Sequence, residues 1–414
     1  MAQQVVVEES AEEADFRARA RAFLEKFAKP KVGNTDLRTT LGNTDTSTET
    51  ELAHVAASRK WQRTLYDNGW AGITWPKEYG GLGLSQKHAR IFAQEESKFA
   101  VSVGFFSVAT QMVAPTIMAH GTEEQKQHFL PKILSGDYLW CQLFSEPGAG
   151  SDLAGLTTRA DRDGDEFVVN GQKVWNSGAH YADWGILLAR TNWDVPKHRG
   201  ISYFLVDMHS QGIDARPLKQ ITGHAHFNET FLTDVRIPAD NVLGDVDDGW
   251  RVTLSTLMNE RTMIGGGGGG MNFKAVHELA QECGVTDQAV MRQELAKCYT
   301  RFELVKWLGL RARAAAKSGR PPGPESSVIK LFVSQRVALD GDLLMAIEGA
   351  RGMLMDGDAP HEGSWQQVFL SQWSIRIGGG TEQVQRNVMG ERVLGLPGDI
   401  RIDKDRPFKD VPRN

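Results

Sequence analysis

The sequence is poor in the features that mark several large classes of protein. Its 414 residues include three cysteines, Cys141, Cys283 and Cys298, which show no metal-ligand spacing and do not suit a disulfide framework. No run approaches the roughly 20 apolar residues that span a bilayer. The first residues also lack the basic and apolar regions of a signal peptide. We therefore expect a cytoplasmic protein with free thiols and no membrane segment.

An excess of positive charge is also missing. The chain has 47 Lys and Arg against 52 Asp and Glu, a formal net charge of −5, which gives no reason to expect a nucleic-acid partner. Hydrophobic residues at 41% and charged residues at 24% are typical of a globular protein. Because the length exceeds one ordinary core, we expect two or three packed domains.

Apolar residues recur at helical spacing through the first third of the chain. Helices are predicted over 11–28, 52–68 and 86–136, with breaks in the last of these at Pro115, Gly121 and Pro131. Residues 1–137 are therefore predicted to form an all-α domain.

The pattern changes near residue 138 and again near Gly249. Short strand-like runs separated by Gly, Asn and Asp predict a small antiparallel sandwich or barrel over 138–245. Long helical patterns then follow at 250–282, 286–319, 325–351 and 364–395. Helices, then strands, then helices predict an α+β multidomain protein, with its last domain at 246–414.

Two polar segments of the strand-rich part carry the densest chemical signal. The run from Ser145 to Asp152, Ser-Glu-Pro-Gly-Ala-Gly-Ser-Asp, predicts a tight turn whose backbone N–H groups approach a ligand. The second, from Asn170 to Ser177, predicts a hairpin turn at Asn-Gly and then a strand that presents a tryptophan and a hydroxyl. A flat aromatic cofactor would suit this pair of segments. A barrel with a stacked tryptophan is the alternative.

These two segments resemble those of the acyl-CoA dehydrogenases. Thr122-Glu-Glu-Gln-Lys-Gln-His-Phe-Leu-Pro131 and Thr381-Glu-Gln-Val-Gln-Arg386 fit the same family, so the resemblance covers nearly the whole chain in order. It implies an N-terminal helical domain, a central antiparallel β-barrel and a C-terminal four-helix bundle. It also implies FAD as cofactor and an acyl-CoA as substrate.

The resemblance assigns roles to individual residues. Trp175 would lie beside the isoalloxazine, the Ser177 hydroxyl would point at its N5 edge, and Ser151 matches a contact to CoA. The residues implied to contact the flavin are Phe144, Ser145, Trp175, Ser177, Thr381 and Gln383.

The catalytic base is less obvious. The reaction needs a carboxylate to take the α-proton while a hydride leaves the β-carbon, and the developing enolate-like charge must be stabilised. Where many family members carry a glutamate, this chain has Gly379, whose backbone N–H would hold the thioester carbonyl. In the isovaleryl- and long-chain-type branch the glutamate precedes a buried arginine on an earlier helix, which matches Glu260 and Arg261. Glu260 is therefore the predicted base, and a solvated or Arg261-paired glutamate is the alternative.

Six consecutive glycines, Gly265 to Gly270, follow the predicted base. They follow a helical run instead of a strand, so they are not a dinucleotide-binding fingerprint. One interpretation is a simple break between helices. The other is that the missing side chains leave room for a bulky or branched acyl group, with Arg261, Gly265 and Gly267 lining the substrate pocket. His224 and His226 predict a surface or satisfied pair, and we expect no metal site.

Two family motifs that hold FAD from a neighbouring subunit are degraded here. The stretch 283–325 has no Arg-x-x-Phe-Gly, and 346–352 replaces Gln-x-x-Gly-Gly. The chain is thus expected in a homo-oligomer or in a heterotetramer with a homologous subunit. The resemblance also implies that the enzyme passes its electrons to an electron-transfer flavoprotein. An acyl-CoA oxidase, a flavin monooxygenase on the same fold, or a subunit inactive alone are the alternatives.

Overall fold

The first described part of the chain is helical. The computed structural model describes residues 9–31, 45–102, 104–266, 271–317, 323, 326–398, 400–401 and 403–412. The first helices are α1 (Ala11–Phe27), α2 (Thr48–Asp67), α3 (Gln86–Glu96), α4 (Ala114–His120) and α5 (Glu123–Ser135). Two short strands, β1 (Lys29–Pro30) and β2 (Phe99–Ala100), pair antiparallel beside them.

Local signals explain where these helices begin and end. Ser10 and Thr122 each start a helix with a capping box, in which the cap side chain and the side chain three residues later bond each other's backbone N–H. Gly121 ends α4 as predicted. The break predicted at Pro115 coincides with a helix boundary, because α4 begins at Ala114 directly after a π-helical segment over Ala109–Val113. Pro115 thus lies in the first turn of α4, where proline is tolerated. The break predicted at Pro131 is wrong, because α5 continues through it and its buried face offsets the lost hydrogen bond.

A curled seven-stranded sheet occupies the middle of the chain. Its order is β3-β6-β4-β5-β9-β8, with β7 paired to β6. The strands are β3 (Trp140–Leu143), β4 (Arg159–Asp163), β5 (Glu166–Val174), β6 (Trp184–Arg190), β7 (Ile201–Asp207), β8 (Ile213–Leu218) and β9 (Phe227–Pro238).

The sheet is mixed, which corrects the prediction of a wholly antiparallel barrel. Both β3 and β4 pair parallel with β6, at Leu143 with Leu187 and at Arg159 with Arg190. The two strands therefore lie along the same side of β6 and run in one direction. The loop 144–158 leaves this row after β3 and re-enters it at β4, so the motif that begins at Ser145 projects from the sheet.

The hairpin predicted at Asn170 and Gly171 is also wrong. The turn lies at Gly164, between β4 and β5, and both residues sit inside β5 at a shift in register. A Cβ atom at Gly171 would lie 2.8 Å from the Cα atom of Thr158, so only glycine fits there. The Asn170 side chain donates to Asp234 at 2.9 Å, which ties the irregular point of β5 to β9.

The last part is again helical, which completes the predicted order of helices, strands and helices. It comprises α6 (Gly249–Gly266), α7 (Phe273–Glu282), α8 (Ala289–Lys317), α9 (Ser326–Glu348), α10 (Ser364–Ile377) and α11 (Glu382–Val388). Helix α9 packs against α6, α8, α10 and α11 and is the centre of this bundle. No helix in the described ranges is long and apolar enough to cross a membrane. All three cysteines are free thiols.

Candidate active site

The loop 144–158 lies directly against the end of β5. The backbone N–H of Val174 donates to the Ser145 carbonyl at 2.9 Å, and the Lys173 amine donates to the Phe144 carbonyl at 3.0 Å. These bonds bring Phe144 and Ser145 next to Trp175. The two motif segments, about 25 residues apart in the chain, therefore form one site.

A buried ion pair fixes the loop in this position. Lys173 is fully buried and its Nζ lies 2.9 Å from an oxygen of Glu146, which is also buried. The same carboxylate accepts hydrogen bonds from the backbone N–H groups of Thr157 and Thr158, at 2.7 and 2.8 Å. Burial by itself would raise the pKa of Glu146, but the Lys173 charge and these hydrogen bonds lower it to about 2. The beginning and the end of the loop are thus held by one carboxylate.

Trp175 projects from the sheet in a strained backbone conformation. Its φ is 63°, a value that a bulky residue rarely adopts, and its side chain is 61% exposed. The ring of Phe227 stands perpendicular to it, with 6.1 Å between ring centroids. The Ser177 side chain is exposed two residues later. A large flat ring beside a hydroxyl, presented at the end of a fixed strand, fits a planar heterocycle.

Asn176 anchors the segment between these two exposed residues. Its side-chain amide donates to the Gln142 carbonyl at 2.8 Å, and its backbone pairs with Asn228 through bonds of 3.0 Å in both directions. Asn176 is buried while its neighbours Trp175 and Ser177 face outward. The sequence interpretation missed Asn176, Glu146 and Lys173, whose role is to hold the predicted contact residues in place.

The far end of the loop exposes Ser151 and is held by a lysine from the β6–β7 connection. Lys197 contacts the carboxylates of Asp152 at 2.8 Å and Asp403 at 2.6 Å. Ser151 itself is exposed on the loop. The hydroxyl assigned to CoA by the resemblance is therefore accessible to a ligand.

On the bundle side, a glycine turn joins α10 to α11. Gly379 and Gly380 have φ values of 67° and 92°, in the left-handed region that favours glycine. The Thr381 hydroxyl caps α11 by accepting the N–H of Val384 at 3.2 Å, and Gln385 donates its side-chain amide to the Gly379 carbonyl at 3.3 Å. The turn has a fixed shape, and the side chain of Gln383 is exposed beside it.

A buried lysine of α9 contacts the last turn of α10, just before the glycine turn. Lys330 is 3% exposed, and its Nζ atom donates to the Ile375 carbonyl at 2.6 Å. Burial holds the pKa of Lys330 below its ordinary value, while the charges of Glu382 and Glu260 act to raise it. Helix α6, which carries Glu260, and helix α11, which follows the glycine turn, both pack against α9. Lys330 is a further residue that the sequence interpretation missed.

Some predicted pocket residues are only partly described. The backbones of Arg261 and Gly265 continue α6, and nothing is described of the Arg261 side chain. Gly267 lies outside the described residues.

The two histidines form a half-buried pair. The rings of His224 and His226 are 5.9 Å apart, and burial lowers the pKa of His226 to about 4. Within the described ranges, no group of three or more His, Cys, Asp or Glu side chains could hold a metal ion. His226 is therefore neutral near pH 7.

Three family models match the chain one after another. Residues 10–137 match the acyl-CoA dehydrogenase N-terminal domain, 141–235 the middle domain and 247–394 the C-terminal domain.

Similar individual proteins agree with these matches. The chain is 38% identical over 353 residues to acyl-CoA dehydrogenase IpdE1 of Mycobacterium tuberculosis, a match that covers 83% of this chain and 89% of that protein. Among solved structures, the Tcur3481-Tcur3483 steroid ACAD has a TM-score of 0.79 at 32% identity, covering 95% of this chain and 99% of that one. The ChsE4-ChsE5 complex from Mycobacterium tuberculosis has a TM-score of 0.75 at 30% identity, covering 95% of this chain and 100% of that one.

Proposed function

The chain belongs to the acyl-CoA dehydrogenase family, and we propose that it converts an acyl-CoA to the trans-2-enoyl-CoA with Glu260 as the base. The resemblance predicted from four motifs is confirmed by the family models. As a member, the chain is an FAD-dependent oxidoreductase. The observation that supports the mechanistic proposal is that α6, which carries Glu260, and α11, which follows the Gly378–Thr381 turn, both pack against α9.

The residues at the end of β5 fit a flavin. Trp175 offers an exposed ring and Ser177 an exposed hydroxyl directly after the end of β5, where the Asn176 side chain bonds the Gln142 carbonyl. The residues that would hold FAD are Phe144, Ser145, Trp175, Ser177, Thr381 and Gln383. When bound, FAD supplies the acceptor for the β-hydride.

Glu260 is the proposed acceptor of the α-proton, because it is the acidic residue that the family pattern places near the glycine turn. A carboxylate can accept this proton, and the backbone N–H of Gly379 can donate to the thioester carbonyl as negative charge develops there. The left-handed conformation at Gly379 supports this role, because it is a backbone position whose shape the turn dictates. Glu260 takes the proton, and Gly379 stabilises the charge that remains.

A bulky acyl group is the proposed substrate. Helix α6 ends with Gly265 and Gly266, five and six residues beyond Glu260, so its last two positions carry no side chains. One similar structure is described as a steroid ACAD. Both observations support a branched or polycyclic acyl chain, with Arg261 and Gly267 proposed near it.

The bundle surface supports an oligomer. Helix α8 exposes large apolar side chains within one broad face, and monomers rarely expose a contiguous patch of this kind. These residues are Tyr299, Leu304, Trp307 and Leu310. Since the similar ChsE4-ChsE5 structure is a complex, we propose a second copy or a homologous subunit as partner.

An electron-transfer flavoprotein is the proposed acceptor of the electrons. The free thiols support a cytoplasmic location.

The function is tested with the purified chain and several acyl-CoAs under anaerobic conditions. We expect about one flavin per chain or per completed oligomer, and bleaching of its visible absorbance by a bulky acyl-CoA. Peroxide formed at the rate of turnover in air would instead favour the oxidase alternative. A folded but colourless chain that becomes yellow with a homologous subunit would assign it to a heteromeric enzyme.

A further inference from the structure

A fully buried arginine of β6 bonds the later part of the loop 144–158. Arg190 donates from Nη2 to the Ala154 carbonyl at 2.7 Å and from Nε to the Leu156 carbonyl at 3.1 Å. The other terminal nitrogen of Arg190, Nη1, donates to the Lys197 carbonyl at 3.1 Å. Because a guanidinium is a rigid planar fork, these bonds fix the loop and the β6–β7 connection relative to each other.

The C-terminal segment, residues 403–412, covers this arginine. The ring centroid of Phe408 lies 3.5 Å from the guanidinium carbon of Arg190. The backbone N–H of Phe408 donates to the carbonyl of Val195, which is on the β6–β7 connection, at 2.9 Å. The C-terminal segment therefore packs on the same connection that Arg190 bonds to the loop.

The tip of the loop, residues 150–152, is exposed between the buried side chains of Ala149 and Leu153. A Cβ atom added at Gly150 would meet no atom of the described residues within 4 Å. A glycine with open space around it leaves the backbone free to take several conformations. The position of the tip therefore depends on a contact made by its other side chains.

Lys197 supplies such a contact and joins the tip to the C-terminal segment. Its Nζ atom lies 3.0 and 2.8 Å from the two carboxylate oxygens of Asp152 and 2.6 Å from an oxygen of Asp403. The Lys197 side chain is 12% exposed, so these two carboxylates and not solvent surround most of its charge. Asp152 directly follows Ser151, whose side chain is exposed. The lysine thus ties the residue beside Ser151 to the C-terminal segment.

A different lysine holds the part of the loop that is proposed to contact the flavin. Phe144 and Ser145 lie at the start of the loop, where the Lys173 amine donates to the Phe144 carbonyl at 3.0 Å and to the Glu146 carboxylate at 2.9 Å. Since Lys173 and Lys197 hold different parts of the loop, loss of Lys197 is expected to free the tip and leave the flavin contacts in place.

We propose that Lys197 is a positioning residue for the substrate, which holds Ser151 in place for coenzyme A by clamping the tip of the loop to Asp403 of the C-terminal segment. The inference rests on the proposed function, because it takes the Ser151 hydroxyl as a contact of CoA. A loop that is already ordered loses less conformational entropy when its ligand binds, so the clamp strengthens CoA binding without touching the ligand.

The test measures binding of coenzyme A to flavin-loaded enzymes by titration calorimetry, together with FAD content per chain. Lys197→Met and Asp403→Asn break the clamp, and Lys197→Arg keeps its charge. Lys409→Met is the matched control. The Lys409 amine also joins the C-terminal segment to the β6–β7 connection, 2.6 Å from Asp194, but Asp194 is not part of the loop.

Lys197→Met is expected to raise the Kd for coenzyme A by roughly fivefold, the upper range for one partly exposed ion pair, with FAD content unchanged. Asp403→Asn, which leaves Asp152 paired, should raise the Kd by a smaller factor. It should have no further effect in the Lys197→Met background, because Asp403 acts through the lysine. Lys197→Arg and Lys409→Met should bind coenzyme A like the wild type. In anaerobic flavin reduction by one acyl-CoA, the half-saturating concentration should rise with the Kd while the limiting rate stays unchanged.

A wild-type Kd in Lys197→Met overturns the inference. A Lys197→Met enzyme that loses FAD as readily as coenzyme A also overturns it, because the lysine would then support the whole domain. If Lys197→Met does not fold, a wild-type Kd in Asp403→Asn decides against the clamp.

Ser151→Ala in the same titration identifies a failure of the proposed function. If the wild type binds no coenzyme A, or if Ser151→Ala binds it normally, the proposed CoA site is wrong and the inference falls with it. If Ser151→Ala is weakened and Lys197→Met is not, only the role of Lys197 is wrong.

Discussion

Lys173 and Glu146 form an ion pair of 2.9 Å in which neither side chain has appreciable contact with solvent. Lys173 is on β5, two residues before Trp175, and Glu146 follows Ser145 in the projecting loop. The pair joins the two segments that carry most of the proposed flavin contacts. The proposed flavin site is therefore held in place by two charged side chains that are not among its proposed contacts.

Replacing Lys173 by methionine is expected to destabilise the protein strongly. It leaves the Glu146 carboxylate buried without its cation, a change that costs about 3–5 kcal/mol. The double variant Glu146→Gln with Lys173→Met removes both charges and is expected to lose less. Urea unfolding and flavin content per chain measure the two effects, and the exposed Lys297→Met is the control. A single variant as stable as the double variant would contradict the role of the pair.

Acid is expected to weaken this site over a defined range of pH. The pKa of Glu146 is lowered from 4.5 to about 2 by Lys173 and the threonine hydrogen bonds, against the effect of burial. Because the folded-state pKa lies below the unfolded one, the contribution is fully present above about pH 4.5 and is lost as the pH falls toward 2. The free energy of unfolding should fall more steeply over this range in the wild type than in Glu146→Gln. Parallel curves would show that Glu146 does not cause the loss.

Trp175→Gly is expected to separate flavin binding from stability. The side chain is exposed and its φ of 63° is unfavourable for tryptophan, so glycine relieves strain and loses little packing. We expect the free energy of unfolding to stay within about 1 kcal/mol of the wild-type value. We expect the affinity for FAD to fall by about tenfold, which is the effect of one lost aromatic contact. Titration of the apoprotein with FAD measures the affinity. Trp307→Ala, a similarly exposed tryptophan on α8, is the control and should bind FAD normally.

The segment 403–412 is expected to stabilise the sheet domain. Phe408 is 2% exposed and the guanidinium carbon of the buried Arg190 lies 3.5 Å from its ring centroid. The backbone N–H of Phe408 donates to the Val195 carbonyl at 2.9 Å. Phe408→Ala should lower the free energy of unfolding by about 3–5 kcal/mol, whereas the exposed neighbour Lys409→Ala should change it by less than about 1 kcal/mol. Equal effects of the two variants would mean that the segment is not part of the core.

Features fixed by neighbouring residues could be predicted from the sequence. The capping boxes at Ser10 and Thr122 are local signals, and so is the helical spacing of apolar residues that follows each of them. Helices α1 and α5 begin directly after these two capping residues. Asn170-Gly171 is also a local turn signal, yet it failed. Pairing of β5 with β9 along most of its length outweighs the local preference, and the dipeptide becomes an irregular point within the strand.

Features fixed by distant residues could not be predicted. The parallel pairing of β3 with β6 depends on strands more than 40 residues apart. Nothing local distinguishes Lys173 and Lys330 from the exposed lysines, because their burial comes from the packing of other elements around them. The residues proposed to contact ligands were found through motifs, while the charges that position them became visible only in the folded chain.

The most direct test of the account is anaerobic reduction of bound flavin by acyl-CoA in the wild type and in Glu260→Gln. Glutamine keeps the size of the side chain but cannot accept the α-proton. The account predicts that the wild type is bleached by its substrate, while the variant keeps its flavin and stays yellow. A Glu260→Gln enzyme reduced at the wild-type rate would contradict the central claim and require another base.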